Sequence, residues 1–373
     1  MFIEIMYSSC LKRFATCALL ALLTPCATAG IKPAVRSPNE RIVIIFRHGL
    51  RAPIETSAEL TAIAGRKFPT WPVASGELTP RGQTQLAGMA RSIGNDVFGR
   101  SALNTSCKRR AMVWADVRDR RTIRSGEIVA EALGKCSDAS RHAAAGVSDP
   151  LFDATRAAAC QLPPDAFHPT DGEERTSRIA GARYLAYAQG LPFQTDGATE
   201  RDAVFAAMPA HEHQVERQFS TLPAAGARTA GLTQAIIAFL DGKASSRSPL
   251  PASAQIAAIV GHDTDLAGLK AVFGLGWTLP GQPDSTAPAT ALVLRTLPAG
   301  PDGRQRVSAS IYYQTLSDIR AGIADRPRRI DLHFAACRPG TRCGWQIVRS
   351  AALSAVPEQC RWRNGMADRK VKR

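Results

Sequence analysis

Past its first 26 residues the chain has no apolar run near the roughly 20 residues that a membrane-spanning helix needs. No two cysteines stand at C-x-x-C spacing, which argues against zinc-ribbon and thioredoxin-type sites. No group of histidines, cysteines and carboxylates has metal-ligand spacing, and no segment repeats. The net charge of +15 invites a nucleic-acid partner, yet zinc-finger spacing and aromatic–basic RNA motifs are both missing. With its arginines scattered, the positive field suits small anions and solubility better than a polyanion track. The sequence predicts no nucleic-acid partner, no membrane partner after export, and an open oligomeric state with a monomer favoured.

What is present begins with a leader. Lys12 and Arg13 precede an apolar run from Phe14 to Cys26, and Ala27-Thr28-Ala29 is a small-x-small cleavage signal. Thirteen residues are too few to span a bilayer, so residues 1–29 read as a cleaved signal peptide, with Met6 an alternative start. Removing it leaves 344 of 373 residues, with 45 basic and 31 acidic side chains. It also leaves six of nine cysteines: Cys107, Cys136, Cys160, Cys337, Cys343 and Cys360. An even number in an exported chain predicts three disulfides, among fifteen possible pairings. The final location stays open between periplasm and secretion.

A short β-branched run at 41–46 predicts a buried strand, and apolar runs at 111–115 and 256–260 predict two more. Further extended runs lie at 291–295, 306–313 and 329–334. Thr79-Pro80 reads as an N-cap followed by a first-turn proline, and Leu86, Met89, Ala90 and Ile93 then keep helical spacing. Between about 150 and 250 the chain is Ala-rich, proline-punctuated and helical in pattern, as at Arg178 to Ala188 and Ala230 to Leu240. The expected architecture is an α/β domain over 30–150 and 251–373, its central sheet mainly parallel and flanked by helices. A smaller, mostly helical insertion is expected over 151–250.

Arg47-His48-Gly49-Leu50-Arg51-Ala52-Pro53 follows directly on the first strand. Two guanidiniums can hold phosphate oxygens by charge-assisted hydrogen bonds, and their charge keeps His48 neutral and nucleophilic in acid. Gly49 is expected to let the backbone turn sharply, and Pro53 to stiffen the exit. Alone, such a motif is commonly a basic turn after a strand. Its partner is Gly261-His262-Asp263-Thr264-Asp265, directly after the third buried strand. Active residues of doubly wound proteins gather at strand carboxyl ends, so the folding chain can bring Arg47, His48, Arg51, Arg121, His262 and Asp263 together. A carboxyl group there supplies a proton for a departing oxygen.

These residues resemble the histidine acid phosphatases, the exported branch of the histidine phosphatase superfamily, which includes bacterial phytases, acid phosphatases and glucose-1-phosphatases. Arg47 to Pro53 is similar to the family's R-H-G-x-R-x-P, and His262-Asp263 to its distal H-D pair. Trp71-Pro72-Val73 and Leu78 to Gly82 look like stretches of bacterial phytases. The resemblance implies His48 as the nucleophile that becomes phosphohistidine and Asp263 as proton donor. It implies Arg47, Arg51, Arg121 and His262 as phosphoryl ligands, with Arg120 an alternative to Arg121 because the segment is one residue longer than usual. It further implies an acid phosphomonoesterase without metal or cofactor, and disulfides Cys107–Cys136, Cys160–Cys360 and Cys337–Cys343.

The substrate stays open: a phosphomonoester, with phytate or a sugar phosphate as narrower alternatives and a non-catalytic anion-binding protein as another class. Phytases of this group tend to carry basic residues after the first motif, where this chain has Ile54 and Glu55. Asp265 stands where the family usually has asparagine, either near substrate or capping the next helix. His142, His168, His211, His213 and His333 have no recognisable partners.

Overall fold

The computed structural model describes residues 40–362 except 100–102, 104–106, 108, 154, 156–159, 298, 301 and 340–342. The expected leader, 1–29, lies outside the described residues. The strands are β1 Ile42–Arg47, β2 Ala111–Ala115, β3 Ile256–Gly261, β4 Ala291–Leu297, β5 Arg306–Tyr313 and β6 Arg328–Leu332. The helices are α1 Ser57–Ala64, α2 Pro80–Phe98, α3 Arg120–Leu133, α4 Asp171–Gln189, α5 Glu200–Phe219, α6 Ala224–Arg228, α7 Ala230–Leu240, α8 Asp263–Val272, α9 Leu316–Ala321 and α10 Trp345–Ala355.

All six strands form one sheet in the order β2-β3-β1-β4-β5-β6. The α/β class stands, with one correction: the sheet is mixed, not mainly parallel. β2, β3 and β1 run parallel, while β4, β5 and β6 are joined by antiparallel pairings. One cause lies in connection length. Residues 298–305 between β4 and β5 are too few for the crossover of a dozen or more residues that parallel neighbours require.

Every residue of β1 is buried, because both faces are covered. Val43 and Ile45 pack toward Leu232 and Ile236 of α7 and Leu266 of α8. Ile42, Ile44 and Phe46 pack on the opposite face with Leu86 and Met89 of α2 and Val129 of α3. This period-two alternation over a continuous apolar run is what a central strand between two helical layers requires. Thr79 caps α2 as the sequence predicts, its side chain accepting from the Gly82 amide at 3.0 Å.

The helical region over 151–250 does not separate as one body. α7 is buried on nearly every face and belongs to the core against β1. α4 and α5 pack apart from it: their Tyr184, Leu185, Val204 and Met208 share a smaller core with Leu50, Leu316 and Ile319. The six cysteines are bonded as Cys107–Cys136, Cys160–Cys360 and Cys337–Cys343. Among the described residues, no helix is long and apolar enough to cross a membrane.

Candidate active site

Strand register aligns the carboxyl ends of β1, β2 and β3: Arg47 pairs with Gly261, and Ala115 with Val260. The residues that follow are His48, Asp116 and His262, so three chain segments deliver polar side chains to one edge of the sheet. The loop leading into β4 arrives at the same edge. Its Ala289 amide donates to the His48 carbonyl at 3.0 Å, and the Thr290 carbonyl accepts from the Arg47 amide at 2.9 Å. Ala289 holds φ at 63°, a left-handed conformation costly for alanine, so this junction is fixed by its surroundings.

His48 is 1% exposed. Its Nδ1 lies 2.8 Å from the Gly49 carbonyl, which can only accept a hydrogen bond, so Nδ1 carries the hydrogen and Nε2 keeps its lone pair. Burial comes first in depressing this imidazole, followed by the positive charges of Arg47, His262, Arg51 and Arg121. Together they hold it well below its ordinary 6.5. Gly49 has a different purpose from the sharp turn expected of it. Its φ is not in the left-handed region, but a Cβ there would stand 2.5 Å from the Gly82 carbonyl oxygen. The motif loop rests directly on the start of α2, and only glycine permits that approach.

Arg47 is fixed from two sides. Its guanidinium lies 2.8 Å from Asp263 and 2.7 Å from Asp284, and it also donates to the Thr286 carbonyl at 2.6 Å. Burial acts against its charge, but the two carboxylates outweigh burial and raise its pKa. Burial alone would also raise Asp263, yet the guanidinium of Arg47, backed by Arg51, holds it far below the usual carboxylate range. Arg51 is pushed down to about 10 by burial and by neighbouring Arg121. Arg47, Arg51 and Arg121 each retain a buried Nε without a hydrogen-bond partner. All three guanidiniums act on the His48 ring, and such a grouping of positive donors suits an oxyanion.

The two arginines that compete in the sequence are separated plainly. Arg121 is 11% exposed and ion-paired with Asp119 at 2.8 Å. Arg120, next to it at the start of α3, is 87% exposed and faces Glu77 at 3.6 Å. The His262 ring lies edge-on to His48 with centroids 5.5 Å apart. Its Nε2 is 3.0 Å from the buried Asp116 carboxylate and 3.6 Å from Asp119. Burial favours raising Asp116, but hydrogen bonds from His262 and the Arg118 amide outweigh it and leave it low. Asp265 accepts from the His262 amide at 2.7 Å, so it caps α8; its own burial pushes it up to about 6.

Sequence reasoning singles out neither Asp116 nor Asp284 nor His211. Asp116 was findable, since it follows β2 as the two histidines follow β1 and β3. His211 of α5 is half-buried and lies 2.8 Å from the Ser177 hydroxyl of α4. Both line a cavity of about 610 Å³ that reaches down to Arg47, Arg51 and Asp263.

No family model matches the chain. It is 26% identical to Phytase AppA of Escherichia coli (strain K12) over an alignment 428 positions long, covering 91% of this chain and 97% of that one. Among solved structures, the phytase of Citrobacter braakii superposes with a TM-score of 0.75 at 24% identity, over 86% of this chain and 98% of its own. The apo phytase of Hafnia alvei gives 0.75 at 23%, over 88% and all of its length. These structural likenesses establish a shared fold.

Proposed function

The chain belongs to the histidine acid phosphatase family, and on that premise we propose that it is an exported acid phosphomonoesterase working through a phosphohistidine at His48. The observation that carries this reading is the His48 Nε2 lone pair, set by the Gly49 carbonyl, beside three arginines whose buried Nε–H groups have no partner. Phosphate release from an aryl phosphate between about pH 3 and 7 tests it.

The geometry supports the following course. The phosphoryl oxygens take the Nε–H donors of Arg47, Arg51 and Arg121, and His262 adds a further polar contact. His48 Nε2 attacks phosphorus in line, the P–O ester bond breaks, and Asp263 gives its proton to the departing oxygen. Water then attacks the phosphohistidine, returns a proton to Asp263, and the P–N bond breaks to release phosphate. Catalysis of this kind rests on positioning and charge stabilisation. Asp284 and Asp116 act through others: the first locks the Arg47 fork, the second orients His262. Because Arg121 faces this centre and Arg120 faces solvent, Arg121→Ala is expected to lower kcat/KM by about 10²–10³-fold. Arg120→Ala is expected to stay within about twofold. Steady-state rates of the two variants check this, and equal losses would overturn the assignment.

The proton needs a source, because Asp263 is ionised in the empty site. A phosphomonoester monoanion carries one, and its phosphoryl charge among the arginines raises Asp263 enough to accept it. The monoanion prevails below the ester's second ionisation, near about pH 6. Activity should therefore persist to low pH, since depressed His48 stays neutral there, and fall as pH rises through the second pKa of the substrate. Partly buried carboxyls offer a competing source, desolvation pushing Asp265 up to about 6 and Glu212 up to about 7. Esters of differing acidity separate the two: the alkaline limb should move with the substrate, and a fixed limb would assign the proton to the enzyme.

Three disulfides in the described residues support a place outside the cytoplasm, in the periplasm or secreted. The names of the relatives favour phytate as a second substrate reading.

A further inference from the structure

Above the arginines, the 610 Å³ cavity is where the leaving group of a bound ester must lie. Its outer wall is built from the loop after β1, the start of α1 and the first turns of α4. The charged side chains there are Glu55, Glu59, Glu174 and Arg178. The one guanidinium is already engaged: Arg178 lies 3.6 Å from Glu55 and is paired with Glu174 on its own helix. Glu59 adds a third carboxylate, turned onto the Thr56 amide at 2.7 Å as the capping partner of α1. Ile54, 61% exposed beside Glu55, adds an apolar edge. The facing wall on α5 supplies His211, Gln214 and Gln218, and burial works against protonation of His211.

A substrate with one phosphate places all its negative charge among Arg47, Arg51 and Arg121, where it is matched. A substrate with several phosphates must set the others against three carboxylates with no spare cation between them. At separations of about 6 Å in a well-solvated wall, with a dielectric of about 40–80, each such charge pair weakens binding by about three- to tenfold. The net positive charge of the whole chain does not offset this, because it acts over distances that salt screens beyond about 10 Å.

We propose that this cavity selects phosphomonoesters with a single phosphate on an uncharged or cationic polar leaving group, such as a sugar, a polyol or an amino alcohol. Glu55 and Glu174 are the residues that turn away polyphosphorylated esters, inositol hexakisphosphate included. The inference rests on the phosphomonoesterase reading and narrows it, against the substrate named for the relatives.

The test compares kcat/KM of the purified chain at pH 5 on glucose 1-phosphate, phosphoethanolamine, fructose 1,6-bisphosphate and phytate, at low and high salt. The single-phosphate esters are expected to lead by about tenfold or more, with salt narrowing the gap because screening relieves repulsion. Glu55→Lys should raise the phytate-to-glucose 1-phosphate ratio by about tenfold. Glu55→Gln together with Glu174→Gln, which frees Arg178, should raise it similarly without reversing a charge. Turnover with phytate preferred, a gap that salt widens, or ratios unmoved in both variants would overturn this selection and leave the phosphatase reading intact. No turnover of any ester would overturn that reading and the selection with it.

Discussion

Replacing His48 with alanine is expected to lower phosphate release by about 10⁵-fold or more, while substrate still binds. The two halves of this expectation come from different atoms. Bond formation to phosphorus needs the Nε2 lone pair, and no neighbour can supply another: the nearest imidazole, His262, has its Nε2 committed to Asp116 at 3.0 Å. Binding needs the guanidiniums, which keep their own supports from Asp263, Asp284 and Asp119 when the ring is removed. Because burial and the charges of Arg47, Arg51 and Arg121 keep His48 neutral, its loss leaves the charge of the site unchanged.

Inorganic phosphate should therefore inhibit competitively in wild type and still bind His48→Ala within about tenfold, measured by calorimetry. The backbone of residue 48 is held by the Gly261 carbonyl and the Ala289 amide, which the substitution does not touch, so the fold should persist. An acid-labile, base-stable phosphoryl label should appear on wild type and not on the variant. A residual rate within about a hundredfold of wild type would remove His48 from the role of nucleophile.

Much of this site was legible because its parts are local. A β-branched run ending in Arg47-His48-Gly49 announces a buried strand and what stands at its end, and Ile256 to Gly261 followed by His262-Asp263 does the same. Thr79-Pro80 is visible because an N-cap and a first-turn proline act within three residues. What stayed hidden depends on distant segments. The ion pair of Arg47 with Asp284 spans 237 residues, and the loop carrying Asp284 has neither periodicity nor motif to mark it. His211 sits on a helix whose only clue is composition, and its place depends on how α5 crosses α4. The antiparallel half of the sheet leaves no mark in the sequence, because extended runs look alike whichever way the chain returns. Gly49 shows a subtler gap: the residue was right and the cause differed, since its neighbour Gly82 lies on another element.

Asp263→Asn offers the second large effect, and its size should depend on the leaving group. For an alkyl phosphate the departing alkoxide is too basic to leave unprotonated, so kcat is expected to fall by about 10²–10⁴-fold. For an aryl phosphate with an acidic phenol, the first step needs little proton donation and should fall far less. The second step still needs Asp263 to take a proton from water, so phosphoenzyme should accumulate and one equivalent of phenol appear as a burst. The charge of the empty site sets a further sign. Asp263 is ionised beside Arg47, and asparagine removes a negative charge from a pocket that binds an anion. KM should therefore fall together with kcat, whereas a merely loosened site would raise it. Rapid-quench kinetics on one alkyl and one aryl ester read all three quantities. Equal losses on both esters, no burst and a raised KM would place the proton donor elsewhere. The partly buried carboxyl of Asp265, pushed up to about 6, would then be the next candidate, although its contact with the His262 amide turns it toward the helix start.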